Sequence, residues 1–272
     1  MAKRFFIVLF TLLFCVSCTT TDVAQPEAAD SPKDDLALLW VNHAAEYEAI
    51  ARQVYQLATD ALPGFIEDRS WTVVPGNPDA RDLPPAVILD VDETTVSNRK
   101  FQMSFTPPVT QFKIDKWNRE HVAEPVPGVV EFVHAARQAG VETFFVTNRP
   151  CDLVEGDPRP CPYKDTIVAD LAELGIETSP DRVLLARERD GWDRAKIARR
   201  EFIAQTHRVI MLIGDDLGDF VPCVRIKLYG PCNDAATKES RRAYLNDNRG
   251  LWGNGWYIVP NPMHGSWAKF VP

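Results

Sequence analysis

The chain alternates short, mostly apolar runs with longer stretches in which apolar residues recur every three or four positions. The short runs are Ala86–Leu89, Val141–Val146, Val183–Leu185 and Val209–Ile213. Their content of β-branched, aliphatic and aromatic residues, and their short length, predict buried strands. The periodic stretches predict helices. The first runs from Asp35 to Leu62, with Leu36, Trp40, Ala44, Tyr47, Ala51, Val54 and Ala58 in register; Ser31 or Asp35 caps it and Pro63-Gly64 stops it. Further helices are expected over Gly128–Gly140, about Lys164–Leu174, and Asp193–Ala204, the last carrying Lys196, Arg199 and Arg200. Residues 64–84 have no clear period and read as connecting structure, and the tail from Asn233 holds a short helix followed by Trp252, Trp256 and Trp267.

Strands alternating with helices imply an α/β fold: a Rossmann-like parallel sheet with helices on both faces and an N-terminal helix packed on it. One stretch breaks the alternation. From about residue 97 to 127 the chain is irregular and aromatic, with Phe101, Phe105, Phe112, Trp117 and Pro107-Pro108, which suits a small helical cap over a pocket.

At 272 residues and 45% hydrophobic content the chain can bury a sizeable core. A net charge of −8 argues against a nucleic-acid partner and means that an anionic ligand needs locally placed cations or a metal. Lys3-Arg4 followed by an apolar run from Phe5 to Val16 is too short to span a membrane and matches an export signal over residues 1–18. Residues 19–34 read as a flexible tether, leaving 35–272 as the folded domain. Val16-Ser17-Cys18 resembles a bacterial lipobox, which makes Cys18 a lipidation site; Cys15 departs from that pattern and leaves ordinary signal cleavage open. Export makes disulfides the favoured state of Cys151, Cys161, Cys223 and Cys232. Three connectivities exist for four cysteines; the short loops favour Cys151 with Cys161 and Cys223 with Cys232, and the spacings lack a zinc pattern.

Three of the strands end in polar clusters: Asp90/Asp92, Thr147/Asn148/Arg149 and Asp215/Asp216/Asp219. In a parallel sheet these ends face one crevice, joined there by Lys196. Residues two apart on an extended chain point the same way, so Asp90 and Asp92 raise one another's pKa unless a cation intervenes. Carboxylates, a hydroxyl, strand-end amides and one lysine suit phosphoryl transfer: oxygen ligands for Mg²⁺, donors for phosphoryl oxygens, a carboxylate nucleophile and a second carboxylate to move the proton.

Asp90-Val91-Asp92-Glu93-Thr94, Val146-Thr147-Asn148-Arg149, Lys196 and Gly214-Asp215-Asp216-Leu217-Gly218-Asp219-Phe220 resemble the four motifs of haloacid dehalogenase (HAD) superfamily phosphatases. More narrowly, Leu89–Asn98 and Ile213–Phe220 resemble subfamily IIIB, the class C acid phosphatases, which are secreted bacterial lipoproteins. The resemblance implies a Mg²⁺-dependent acid phosphatase acting on phosphomonoesters, often 5′-nucleotides, through an aspartyl-phosphate. It implies Asp90 as nucleophile, Asp92 as general acid/base, and Thr147, Asn148 and Lys196 around the phosphoryl group. Asp90, Asp92 (through its carbonyl), Asp215 and Asp219 would serve one metal ion. Phe101, Phe105 and Trp117 would stack a nucleobase. It further implies an outer-membrane location through a lipid anchor. The chain departs from the pattern at Ala195, where an acidic residue is expected, and at Asp216, where relatives often carry Asn. Two alternatives use the same residues: a phosphotransferase passing the group to an acceptor hydroxyl, and a non-catalytic envelope binding or storage protein. His121, His134, His207 and His264 read as ordinary surface or core residues.

Overall fold

The computed structural model describes residues 36–75, 80–104, 110–120, 123–154 and 156–271, with the side chains of Gln111 and Phe112 excepted. The expected export signal, tether and Cys18, the aromatic Phe105, and His121 lie outside the described residues. Helices α1 (Leu36–His43) and α2 (Ala45–Glu67) lead into β1 (Pro85–Leu89). A small antiparallel pair, β2 (Val96–Ser97) and β3 (Glu124–Pro125), then brackets α3 (Arg99–Ser104) and α4 (Gln111–Arg119). After it come α5 (Val129–Gln138), β4 (Glu142–Pro150), α6 (Pro162–Glu173), β5 (Val183–Ala186), α7 (Ile197–Ala204), β6 (Arg208–Gly214), α8 (Lys238–Asp247) and β7 (Trp256–Ile258).

The main sheet is wholly parallel, in the order β5-β4-β1-β6-β7. Alternation along β1 assigns its residues to two cores. Val87 and Leu89 pack with Ala51, Tyr55 and Ala58 of α2 and Phe132 of α5, whereas Ala86 and Ile88 pack with Phe144, Val146, Leu212 and Ile203 of α7. Both faces are therefore covered, and β1 reads as a continuous apolar run for that reason. The chain leaves β1 toward β4 and β5 and later returns on its other side as β6. The carboxyl end of β1 is thus the point where the winding reverses, the usual place for a ligand crevice.

Three expectations are corrected. The first helix breaks at Ala44, whose ψ of 124° is extended. Val41 and Tyr47 are both buried, yet on an unbroken helix of 3.6 residues per turn they would face roughly 120° apart, so the break is what turns both inward. The helix then runs through Pro63-Gly64 to Glu67, because both sit on the exposed side while Phe65 stacks on Trp71 with ring centroids 4.8 Å apart. The tail contributes a fifth strand, β7, hydrogen-bonded to β6.

Candidate active site

Asp90 follows β1 directly. Its amide donates to the Ile213 carbonyl at 2.9 Å, and its own carbonyl accepts from the Thr95 hydroxyl at 2.6 Å. Glu93 takes a left-handed φ of 61°, folding the chain back so that the Thr95 and Val96 amides donate to Val91 at 2.8 and 2.9 Å. The Tyr55 hydroxyl of α2 donates to the Thr94 carbonyl at 2.6 Å, so the N-terminal helix holds this turn from behind.

Lys196 is 4% exposed and pairs with Asp90 and, at 2.6 Å, with Asp219. It lies just before α7 and not on it, a correction to the expected Asp193–Ala204 helix. Its φ of 61° costs roughly 1 kcal/mol or more for a residue with a Cβ. The two buried ion pairs offset that cost. Asp219 uses its other oxygen to accept from the amides of Asp215 and Asp216 at 3.2 and 2.9 Å. Gly214 permits this, since a Cβ there would overlap the Asp219 carboxylate. Asp215 accepts from Thr94 at 3.1 Å and from Asn261 at 2.7 Å. Asp216 caps the short turn after β6, accepting from the Gly218 amide at 2.8 Å and the Ser266 hydroxyl at 2.9 Å.

Asp90, Asp215 and Asp219 each bring a carboxylate oxygen within 4.8 Å of the others. Burial pushes Asp90 up to about 7, opposed by Lys196 and reinforced by Asp219 and Asp92. Burial and then the Asp219 and Asp90 charges raise Asp215 well above the carboxylate range. Burial works against the charge of Lys196, but Asp219 and Asp90 outweigh it and raise its pKa. Once all three carboxylates are ionised, one lysine does not neutralise them. An all-oxygen donor set with surplus negative charge fits a hard divalent cation.

Asp92 has a different setting. Arg149 holds it with a fork of hydrogen bonds at 2.7 to 3.1 Å, and Asn98 adds another at 2.8 Å. Burial would raise its pKa, but the Arg149 guanidinium overrides this and holds it down to about 2. Arg149 reaches it because the β4–β5 register shifts between Thr147 and Pro150, leaving Asn148 and Arg149 in a bulge. Asn98 also accepts from the Trp117 indole at 3.1 Å, tying α4 to Asp92.

These side chains open onto a cavity of about 670 Å³. Asp90, Asp92, Asn148, Lys196, Asp215 and Asp219 all line it, as do Phe101 and Trp117, whose rings are 5.5 Å apart. Thr147 does not line it: its side chain is fully buried, accepting from the Arg149 amide at 3.0 Å and lying 3.4 Å from Asp92. Two further residues, with no role expected from the sequence, are placed here. His264, expected as a surface or core residue, lines the cavity 3.5 Å from Glu93. Burial opposes its charge, but Glu93, Asp92 and Asp90 raise its pKa. Arg199 is fully buried and donates to the carbonyls of Thr147 and Asp193 and to Asn148 at 3.1 Å, stapling the Lys196 turn to the end of β4. An arginine inside a helical stretch gives no hint of this; only the long-range partners reveal it.

Both expected cysteine pairs are bonded, Cys151–Cys161 and Cys223–Cys232. The first closes a loop starting where the Cys151 amide donates to Ala186 at 2.7 Å, at the sheet's end.

A parallel α/β sheet with a carboxylate and lysine cluster at its central strand end has the architecture of a phosphomonoester hydrolase, and comparison with known proteins gives the same class. Residues 16–267 match the family described as HAD superfamily, subfamily IIIB (Acid phosphatase). The chain belongs to that family. The class C acid phosphatase of Bacillus anthracis is similar over 87% of each chain, at 25% identity and a TM-score of 0.69. A second structure of it, with tungstate bound, gives 25% and 0.68.

Proposed function

We propose that this acid phosphatase is Mg²⁺-dependent, works through an aspartyl-phosphate on Asp90, and takes nucleoside 5′-monophosphates among its substrates. The observation that carries the reading is the buried Asp90–Lys196–Asp219 cluster, with Asp215 beside it, at the carboxyl end of the central strand. Tungstate is a tetrahedral oxyanion like phosphate, and its binding by the Bacillus anthracis relative supports an oxyanion position in this architecture.

In this reading an Asp90 oxygen attacks phosphorus, the P–O bond to the leaving alcohol breaks, and Asp92 delivers a proton to that oxygen. Asp92 then takes a proton from water, which attacks the aspartyl-phosphate and releases inorganic phosphate. Lys196 neutralises phosphoryl oxygens, with the Asn148 amide donating to them, while the buried Thr147 hydroxyl, expected to do the same, holds the Arg149 amide behind the cavity wall. Asp90, Asp215, Asp219 and the Asp92 carbonyl would hold Mg²⁺, which supplies charge neutralisation to the phosphoryl group. The insert between β2 and β3 acts as the cap, with Phe101 and Trp117 available to stack a base. We further propose export with lipidation at Cys18 after removal of the preceding residues, in keeping with two local disulfides.

The test is phosphate release by residues 19–272 across a panel of nucleotides and sugar phosphates, with and without Mg²⁺, beside Asp90→Asn. Metal-dependent turnover that disappears in the variant supports the reading. Turnover indifferent to chelator or to the substitution contradicts it.

A further inference from the structure

The cations lining the cavity are not equally occupied. Lys196 is taken up by Asp90 and Asp219, Arg149 by Asp92, and Arg187 by Asp152. Two others are not. Arg194 lines the same cavity two residues before Lys196, and among the described residues it has neither an ion pair nor a side-chain hydrogen bond. Arg225 has a single long contact, 3.6 Å to Asp216. Asp216 accepts its hydrogen bonds from the Gly218 amide, the Ser266 amide and the Ser266 hydroxyl, so Arg225 offsets its charge from a distance and keeps its N–H donors. A guanidinium carries five N–H donors, and nearly all of those on this pair are left for solvent or a ligand.

Arg194 and Arg225 also both line a second, small cleft, together with Cys223 and Cys232. That loop is held against the Lys196 turn by Asp193, which accepts from the Gly230 amide and from the Ala195 amide at 2.8 Å. Arg194 and Arg225 are thus carried by two segments fixed to one another, on the side of Lys196 and Asp216. The aromatic residues Phe101 and Trp117 come from the separate insert between β2 and β3. A cavity of about 670 Å³ has room for much more than one phosphoryl group.

We infer that Arg194 and Arg225 form a second anion subsite, which selects phosphomonoesters whose leaving group keeps a second phosphate. This rests on the phosphatase reading above and adds a substrate class to it. Paired guanidinium groups bind phosphate oxygens through charge-assisted, often bidentate hydrogen bonds, and Arg is the residue suited to that geometry. A neutral leaving group would leave both arginines as they are in the free protein.

The test compares matched substrates: a nucleoside 5′-monophosphate against its 3′,5′-bisphosphate, and a hexose monophosphate against the bisphosphate. Each is measured with the wild-type chain, Arg194→Gln, Arg225→Gln and Arg194→Lys. The bisphosphate-to-monophosphate ratio of kcat/KM is the readout, because it is independent of how much of each preparation is folded. The expected wild-type ratio is about ten or more in at least one pair, the worth of roughly one charge-assisted hydrogen bond. It should fall toward one in both glutamine variants, mainly through KM, and recover in part in Arg194→Lys. A wild-type ratio near one in both pairs overturns the subsite while leaving the phosphatase reading intact, as does a high ratio that both glutamine variants preserve. Absence of turnover on all four substrates overturns both.

Discussion

Asp90 on the floor of the cavity and Asp92 on its wall are two residues apart, yet one is pushed up to about 7 and the other held down to about 2. The floor gathers three carboxylates, Asp90 and Asp219 buried and Asp215 half-buried, around one lysine, with backbone amides fixing Asp219 from behind. The wall matches one carboxylate with one guanidinium and adds Asn98 and Trp117 from the insert side. Ionising the floor leaves surplus charge that asks for a cation from outside, while the wall is neutral by itself. Proximity in sequence therefore says little about a carboxylate's chemistry; its partners decide it. In the ligand-free protein the two are set opposite to what the proposed reaction needs. Asp90 must be ionised to attack, and Asp92 must carry a proton to release the alcohol. In the proposed reaction, metal on the floor would correct the first, and a phosphoryl group drawing Arg149 away from Asp92 would correct the second.

The contrast can be broken from either side. Asp90→Asn removes the nucleophile and should lower phosphate release on the order of 10⁴-fold or more. Lys196→Met leaves Asp90 and Asp219 buried without their cation and should cost about 3 kcal/mol of stability in urea denaturation without divalent ions. Arg149→Gln should raise the Asp92 pKa toward its unperturbed value of about 3.9, moving the alkaline limb of the kcat profile to higher pH. Arg149→Lys, which keeps charge without the fork, should move it less.

Metal binding sharpens the floor's half of the contrast. The folded Asp90 pKa of about 7 lies above its unfolded value of about 3.9. Between those values the folded metal-free protein holds a proton that the unfolded chain has lost, so this group's contribution to stability is full below the window and is lost as pH rises through 7. Mg²⁺ favours the ionised carboxylate, so the rise in Tm that it produces should be larger at pH 7 than at pH 5. A uniform shift would contradict the surplus-charge description. The smallest effect is expected at Trp117→Phe, which keeps the ring and loses the bond to Asn98; a change of about threefold in kcat/KM corresponds to one ordinary hydrogen bond.

The sheet was legible because buried parallel strands are continuous apolar runs, and four of its five strands announced themselves that way. Trp256–Ile258 did not, being three residues long within an aromatic tail. The motif carboxylates were legible through their place at strand ends, as was Lys196 as a residue, though not its backbone: nothing in Arg194-Ala195-Lys196-Ile197 signals a left-handed φ. Arg149, Asn98 and Asn261 escaped as partners because their roles depend on the long-range pairings Arg149–Asp92, Trp117–Asn98 and Asn261–Asp215. Pro63 misled because a helix stop is a local signal, and the burial of Phe65 two residues later outweighed it.

The central claim is that Asp90 takes the phosphoryl group. Rapid acid quenching of the Mg²⁺-loaded chain during turnover, followed by peptide mass spectrometry, reads this directly. The account predicts a phosphoryl adduct on the peptide that contains Asp90, at that residue, and none in Asp90→Asn. Turnover without any adduct, or an adduct on another side chain such as His264, would contradict it.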